Sequence, residues 1–139
     1  MCKIQAKPFN IVIIEAYAPT ADRSDEEIET FYENLDMTIK QVKSSDILIL
    51  MGDFNAKVGT TTISKSIGRE GLGETNERGE RFIQYCEKHE LSIVNTLFIQ
   101  PKRRLYTWKS PGDLFRNQID YIAIKSRFKN AIVDCQTSP

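Results

Sequence analysis

The chain has 139 residues, of which 40% are hydrophobic and 27% charged, and its 19 basic residues balance 19 acidic ones. This length and composition suit one globular domain with its own core. A net charge of zero excludes a protein held on nucleic acid by its overall electric field, although a local basic patch is compatible with it. Because no apolar run approaches a membrane span and no signal peptide is found, we expect an intracellular protein without membrane contact.

The cysteines and the one histidine exclude several kinds of site. Cys2, Cys86 and Cys135 are odd in number and widely spaced, and no CxxC pair occurs, which argues against a disulfide scaffold and a zinc knuckle. Reduced, structural cysteines are typical of intracellular proteins. His89 ends the amphipathic segment FIQYCEKHEL, so we expect it at a helix terminus rather than in a catalytic site.

The first half of the chain is predicted to form a strand, a helix and a second strand. Isoleucine and valine dominate Phe9–Tyr17, and the two apolar faces of this segment predict a central strand covered on both sides. Ser24, with Glu27 three residues later, matches a capping box, and apolar residues at spacings of three and four predict a helix over Asp25–Lys43. A second buried strand is predicted over Ile47–Met51.

The second half alternates polar segments with short predicted elements. Residues 57–74 are polar and contain four glycines, and a loop of this length is usually functional or disordered. Thr75 and Asn76 are typical caps for the helix that follows them. The predicted elements are a helix over Glu77–Lys88, strands over Leu91–Val94, Leu105–Trp108 and Gln118–Ile124, a hairpin connection over Lys109–Arg116, and a strand over Ala131–Cys135.

Polar residues with chemical potential follow or interrupt these strands. Gly52-Asp53-Phe54-Asn55 comes directly after a buried strand, where an aspartate can take a proton or bind a metal and an asparagine can donate to an anion. Such a turn is structural about as often as it is functional. Asp120 lies inside an otherwise apolar strand, so its carboxylate needs a partner or a role. Tyr17, taken alone, is an ordinary strand aromatic.

Taken together, these residues indicate a metal-assisted phosphodiesterase. A strand, crossover helix and strand form a parallel unit, so Tyr17 and Asp53 should lie at the same edge of the sheet. Hydrolysis of a phosphodiester needs a group that prepares water, donors for the pentacovalent anion, and a group that orients both. Asp53 suits the first task, Asn55 and the Tyr17 hydroxyl suit the second, and Asp120 suits the third.

A run of basic and aromatic residues precedes the last predicted strand. Two interpretations are equally favoured, namely a nucleic-acid-binding patch and a solvated hairpin edge guarded by cations. Asn76 has the same ambiguity, since it suits either a helix cap or a substrate contact. The run consists of Lys102, Arg103, Arg104 and Lys109 around Tyr106 and Trp108, of which Arg104 and Trp108 are the candidate substrate-binding residues.

Five segments carry a resemblance to a known family. They are YAPT (17–20), GDFN (52–55), ETNERGERF (74–82), YTWKSP (106–111) and NQIDYI (117–122). In this order they resemble the endonuclease/exonuclease/phosphatase superfamily, above all the apurinic-type endonuclease domain of LINE-like (RTE/BovB) retrotransposons and the craniofacial-development-protein-2-like proteins. The resemblance runs from about Ile11 to the end of the chain. It implies an α/β fold, a four-layer sandwich of two β-sheets flanked by helices, and a Mg²⁺- or Mn²⁺-dependent nick in DNA that leaves a 3′-hydroxyl.

The resemblance also implies roles for single residues. Asp53 would prepare the attacking water and, with Asn55, hold the metal. Asn55 would also contact the scissile phosphate, Tyr17 would stabilise the phosphorane, and Asp120 would orient a histidine. Trp108 and the loop around Asn76 would face DNA. A reverse transcriptase domain in a longer parent chain and a nuclear location are further implications.

The departures from the family pattern predict a partial domain. The family's first-strand Asn or Asp, its metal-binding Glu and its Ser-Asp-His motif have no match here, so residues 1–139 are interpreted as one domain truncated at both ends, with impaired activity. The alternative is a catalytically dead remnant that binds nucleic acid or protein through its hairpin. A third interpretation, hydrolysis of a small phosphoester such as an inositol phosphate or sphingomyelin, is disfavoured by the retroelement-like segments.

Overall fold

The two helices and the long strands follow the order that the sequence predicts. The short strands over Cys2–Ile4 and Arg116–Asn117 were not predicted, and the strand predicted over Leu105–Trp108 is wrong, because only Trp108 of this segment is in a strand. The computed structural model of the chain describes residues 1–138. Its helices are α1 (Asp25–Ile39) and α2 (Glu77–Lys88), and its strands are β1 (Cys2–Ile4), β2 (Ile11–Tyr17), β3 (Ile47–Asp53), β4 (Leu91–Ile93), β5 (Trp108–Lys109), β6 (Arg116–Asn117) and β7 (Asp120–Lys125). Short 3₁₀ turns cover Val94–Thr96, Lys102–Arg104, Pro111–Asp113 and Ser126–Ala131. Neither helix within residues 1–138 is long and apolar enough to cross a membrane.

The strands form a mixed five-stranded sheet and a small two-stranded sheet. The large sheet has the order β1-β2-β3-β7-β4, and β5 pairs with β6 in the small one. β2 and β3 are parallel and are joined through α1, whereas β1, β7 and β4 join the sheet antiparallel to their neighbours. The predicted parallel βαβ unit and α/β class are therefore confirmed, with two sheets and helices alongside.

Capping residues set where both helices begin. The Ser24 hydroxyl accepts a hydrogen bond from Glu27 N at 3.2 Å, and the Asn76 side chain accepts one from Gly79 N at 2.8 Å. α2 has the predicted bounds, but α1 ends at Ile39 instead of Lys43. The chain leaves α1 in a tight turn in which Val42 N donates to Ile39 O at 2.9 Å.

The core lies between one face of the large sheet and the two helices. Strand residues at alternate positions, such as Val12 and Leu48, are buried on this face. On the other face Glu15 and Met51 are exposed, and the isoleucines of β2 and β3 on the same face are half-buried. The prediction that the first long strand is covered on both sides is therefore wrong, because the helices within residues 1–138 pack on one face only.

Two further segments differ from their predicted structure. The strand predicted over Ala131–Cys135 is wrong: Ala131 ends a 3₁₀ turn, and the rest of the segment has no regular structure. Beyond it, Thr137 N donates to Arg104 O, in the Lys102–Arg104 turn, at 3.0 Å. The glycine-containing loop is ordered against its neighbours. A side chain at Gly68 would place a Cβ 2.1 Å from Thr96 O, so only glycine permits this close packing.

Candidate active site

Three side chains form a row across three neighbouring strands of the large sheet, at the C-terminal ends of β2 and β3 and at the start of β7. Tyr17 of β2 is the register partner of Asp53 in β3, and Asp53 is the register partner of Asp120 in β7. Register partners point to the same face and lie about 5 Å apart. The face is the open one, on which Tyr17 is 70% exposed and both aspartates are half-buried. The row therefore brings a hydroxyl and two carboxylates to a surface that a substrate can reach.

The turn after β3 has two features that fix Asp53 in this row. Gly52 has a φ of +144°, and a Cβ there would lie 1.9 Å from Ala16 O, so glycine is required. Phe54 points to the opposite side, is 2% exposed, and stacks on Phe82 with ring centroids 4.0 Å apart. Asp53 is therefore held at the surface between Gly52, which packs closely against β2, and the buried Phe54.

The environment of Asp53 favours its neutral form. Burial and, to a smaller extent, the Asp120 carboxylate raise the pKa of Asp53, while a hydrogen bond from Asn55 N partly opposes the shift. That hydrogen bond to Oδ1 is 2.8 Å long. A raised pKa makes an aspartate a better proton acceptor near neutral pH.

Asn55 combines a structural contact with a free acceptor. Its backbone φ of 45° is left-handed, which asparagine tolerates better than most residues. Its Nδ2 donates to Ala18 O at 2.8 Å and so ties the turn to the loop after β2. Its Oδ1 accepts no hydrogen bond from residues 1–138 and can meet a cation or a donor on the substrate.

Two residues that the sequence analysis did not select support the Asp120 end of the row. The Thr107 hydroxyl accepts hydrogen bonds from Ile119 N at 3.0 Å and from Asp120 N at 3.1 Å. The buried Tyr121 hydroxyl donates to Gln118 O at 2.6 Å and accepts from Val58 N at 3.0 Å. The only sequence signal was their position within the resemblance segments, YTWKSP and NQIDYI.

The hairpin beside the row carries cations and exposed apolar side chains. Trp108 is partly exposed and pairs with Asn117 across the β5–β6 hairpin. The Arg116 guanidinium lies 4.7 Å from the centre of the Tyr106 ring. A cavity of about 610 Å³ connects this hairpin to the row, and its lining consists of Tyr106, Thr107, Lys109, Asp120, Thr137 and Ser138.

The other two predicted substrate contacts have structural partners. The Arg104 guanidinium donates to the Gln136 side chain at 2.5 Å. The Asn76 side-chain oxygen accepts from Lys57 N at 3.0 Å as well as from the cap of α2, so its interpretation as a helix cap is confirmed. For both residues, contact with a substrate stays a prediction.

His89 lies away from the row. It ends α2, and its Nε2 lies 2.7 Å from Asp36 Oδ1 in the last turns of α1. Because α1 leads back to the start of β3, this contact lies near the end of β3 opposite to Asp53. The prediction that His89 occupies a helix terminus is confirmed.

The donor atoms at the row fit a lightly coordinated Mg²⁺ or Mn²⁺. Two carboxylates and the Asn55 oxygen are hard ligands, and Mg²⁺ is commonly held by one or two carboxylates together with water and substrate phosphate. Within residues 1–138, no group of three or more histidine, cysteine, aspartate or glutamate side chains could share a metal ion. The residues therefore fit a cation completed by water and substrate rather than one enclosed by protein.

A comparison with protein families decides to which family this site belongs. The family model described as endonuclease-reverse transcriptase matches residues 11–138. The chain belongs to this family. The predicted resemblance to endonuclease/exonuclease/phosphatase-type domains is thereby confirmed, while descent from a LINE-like retrotransposon stays a prediction.

Curated relatives extend the comparison to nearly the whole chain. Craniofacial development protein 2 from Bos taurus is 44% identical over 137 residues, which cover 99% of this chain and 23% of that protein. The protein of the same name from Tragulus javanicus is also 44% identical, over 99% of this chain and 24% of its own length. The chain thus spans about a quarter of the length of the relatives it matches.

A solved structure has the same fold. The endonuclease/exonuclease/phosphatase family protein from Leptotrichia buccalis C-1013-b superimposes with a TM-score of 0.53, 14% sequence identity, and coverage of 88% of this chain and 40% of that chain. At this identity the likeness extends to the fold alone. It agrees with the mixed sheet and flanking helices described above.

Proposed function

We propose that this domain binds DNA and hydrolyses one of its phosphodiester bonds, with the help of a divalent cation. The observation that carries the proposal is the Tyr17–Asp53–Asp120 row, which brings a hydroxyl and two carboxylates from three strands to one open edge. Membership of an endonuclease/exonuclease/phosphatase-type family is consistent with nuclease or phosphodiesterase activity. DNA as the substrate, a retrotransposon origin, a reverse transcriptase domain in the parent protein and a nuclear site of action all belong to the proposal.

Each residue of the row has one task in this reaction. Asp53 accepts a proton from the attacking water, which its raised pKa favours. The water oxygen bonds to phosphorus, the bond to the 3′ oxygen breaks, and the products are a 3′-hydroxyl and a 5′-phosphate. The exposed Tyr17 hydroxyl donates a hydrogen bond to a non-bridging oxygen as negative charge develops. Asp120 lies opposite Asp53 and adds, as a like charge, to the rise that burial causes in the pKa of Asp53.

Asp53 and the Asn55 Oδ1 are the groups that we propose to hold Mg²⁺ or Mn²⁺. A bound cation would neutralise charge on the phosphate and lower the repulsion between Asp53 and Asp120. Within residues 1–138 no histidine lies in the row to protonate the leaving oxygen, since His89 binds Asp36. We therefore propose slow turnover, with solvent supplying that proton.

One observation favours a second function, binding without cleavage. The β5–β6 hairpin presents the exposed Phe115 ring together with Lys109, whose ammonium lies 5.6 Å from the centre of the Tyr106 ring. Aromatic and cationic side chains together suit stacking on bases and contact with phosphates. A domain that has lost catalysis would retain this surface.

Nicking of a supercoiled plasmid separates the two functions. We expect Mg²⁺-dependent nicking by the wild-type chain and a loss of roughly 100-fold or more in Asp53→Asn, which keeps the size of the side chain but removes the base. Asp25→Asn is the matched control, because Asp25 is an exposed residue in the first turn of α1. Equal nicking by wild type and Asp53→Asn would contradict the proposal. Plasmid binding without nicking by either protein would favour the second function.

A further inference from the structure

The N-terminal end of β7, where Asp120 lies, has a partner strand on one side only. On one edge β7 pairs with β3 as far as Asp120. On the other edge β4 pairs only with Ala123, Ile124 and Lys125, and then ends at Ile93. The backbone groups of β7 nearest Asp120 therefore lie beyond the end of β4 and have no partner strand on this side.

The side chain of Asn95 occupies the place of the missing strand. Asn95 follows β4 in the 3₁₀ turn Val94–Thr96 and is 9% exposed. Its Oδ1 accepts a hydrogen bond from Ile122 N at 2.8 Å, and its Nδ2 lies 3.5 Å from Asp120 O. The shorter contact is a normal hydrogen bond and the longer one is weak.

The two contacts replace those that a neighbouring strand would make. In an antiparallel ladder, the C=O of one residue and the N–H of the residue two positions later point to the same side of the strand. A neighbouring strand would meet Asp120 O with an N–H and Ile122 N with a C=O. A carboxamide carries both groups on one carbon, so Asn95 can serve both positions of β7.

We infer that Asn95 is a positioning residue, which holds the Asp120 end of β7 against β3 by acting as a substitute for a strand. This inference rests on the proposed function only for its effect on DNA cleavage, because the hydrogen bonds of Asn95 do not depend on it. Asp53 and Asp120 are acidic side chains on directly paired residues, and like charges in such pairs repel. Together with the Thr107 hydroxyl, Asn95 holds this end of β7 in place against that repulsion.

The test compares Asn95→Ala with Asn10→Ala. Asn10 is a matched control, because its side-chain oxygen also accepts a backbone hydrogen bond, from Ala6 N at 3.2 Å, but in an exposed loop. In Asn95→Ala we expect amide exchange at Ile122 at least tenfold faster than in wild type, with exchange at Leu48 in β3 unchanged. Asn10→Ala should leave exchange at Ile122 at the wild-type rate.

Kinetics then connect the position to the reaction. Asn95→Ala should lower the kcat of plasmid nicking about tenfold while KM stays within twofold of wild type, because the residue aligns the site without contacting DNA. Should Asn95→Ala fail to fold, Asn95→Asp replaces it. That variant keeps the acceptor for Ile122 but loses the donor to Asp120, so it should preserve slow exchange at Ile122 and still lower kcat.

The two arms distinguish failure of this inference from failure of the proposed function. Amide exchange needs no DNA, so a folded Asn95→Ala variant with the wild-type exchange rate at Ile122 overturns the role of Asn95, whether or not the protein nicks DNA. Wild-type nicking with an unchanged kcat in both Asn95 variants also overturns it and leaves the proposed function standing. Faster exchange at Ile122 in Asn95→Ala, together with a wild-type chain that does not nick DNA, would support the positioning role and contradict the proposed function.

Discussion

Replacing Asp120 by asparagine should stabilise the fold. Asp120 is the register partner of Asp53, and its carboxylate accepts no hydrogen bond from residues 1–138. The substitution therefore removes a charge without removing a contact. At pH 7 the ionised pair is a directly opposed like-charge pair, and such pairs are destabilising by about 0.2–1 kcal/mol. Two unit charges about 5 Å apart in water give about 0.8 kcal/mol, which agrees with the upper part of that range.

The pH dependence of this gain follows from the pKa of Asp53. Burial and the Asp120 charge raise that pKa above its unfolded value, so the ionised carboxylate destabilises the folded chain. The penalty is absent below the unfolded pKa, develops as the pH rises through the interval up to the folded pKa, and is constant above it. The advantage of Asp120→Asn should therefore be present at pH 7 and vanish toward about pH 3, where Asp53 is protonated and no longer repels a neighbouring charge.

Thermal unfolding at the two pH values measures the effect. For a chain of this size, a gain of 0.2–1 kcal/mol corresponds to a rise in Tm of roughly 1–5 °C. High salt should reduce the rise, because screening weakens the repulsion between partly exposed charges. A fall in Tm at pH 7, or a rise that persists at pH 3, would refute the reasoning, since either result means that the Asp120 carboxylate makes a favourable contact or that the gain is not electrostatic.

Three further substitutions test separate parts of the structure. Phe54→Ala should cost about 3–5 kcal/mol in urea unfolding, because it empties the buried site against Phe82; a cost below 1 kcal/mol would mean that the turn is not anchored there. Tyr17→Phe should leave Tm unchanged, since the ring is exposed, and lower the nicking rate by about 10²-fold or more; an unchanged rate would remove the hydroxyl from the site. Although burial raises the pKa of Asp36, hydrogen bonds from Lys88 and His89 lower it overall, so this carboxylate stabilises the fold above its unfolded pKa and loses the effect as the pH falls through its folded pKa. Asp36→Asn should therefore cost roughly 1–3 kcal/mol at pH 7 and progressively less as the pH falls below the unfolded pKa, and a cost that does not change with pH would contradict this sign.

The sequence predicted the parallel unit well because its signals are local. Ser24 and Asn76 cap the two helices where the pattern indicates, and the apolar strands between them carry Tyr17 and Asp53 to a common edge. Asp120 was selected as an aspartate inside an apolar strand, but its place beside Asp53 could not be derived in the same way. No local pattern specifies that an antiparallel strand 67 residues after Asp53 pairs beside it.

Other features depend on long-range packing that periodicity does not report. The open face of the sheet could not be predicted from β2, because its isoleucines alternate on both faces regardless of what covers them. The short β1 has too few residues for a pattern, and Ala131–Cys135 has β-branched residues but no strand beside it. The support that Thr107 and Asn95 give to β7 consists of side-chain contacts to distant backbone groups, which only the folded chain reveals.

Incision of an end-labelled duplex oligonucleotide in Mg²⁺ tests the central claim most directly. The wild-type chain should produce a nick that a DNA polymerase extends, since extension requires a 3′-hydroxyl, and Asp53→Asn should produce none above background. Folded wild-type protein that makes no extendable nick, or an Asp53→Asn variant that nicks equally well, would contradict the assignment of phosphodiester hydrolysis to the Tyr17–Asp53–Asp120 row.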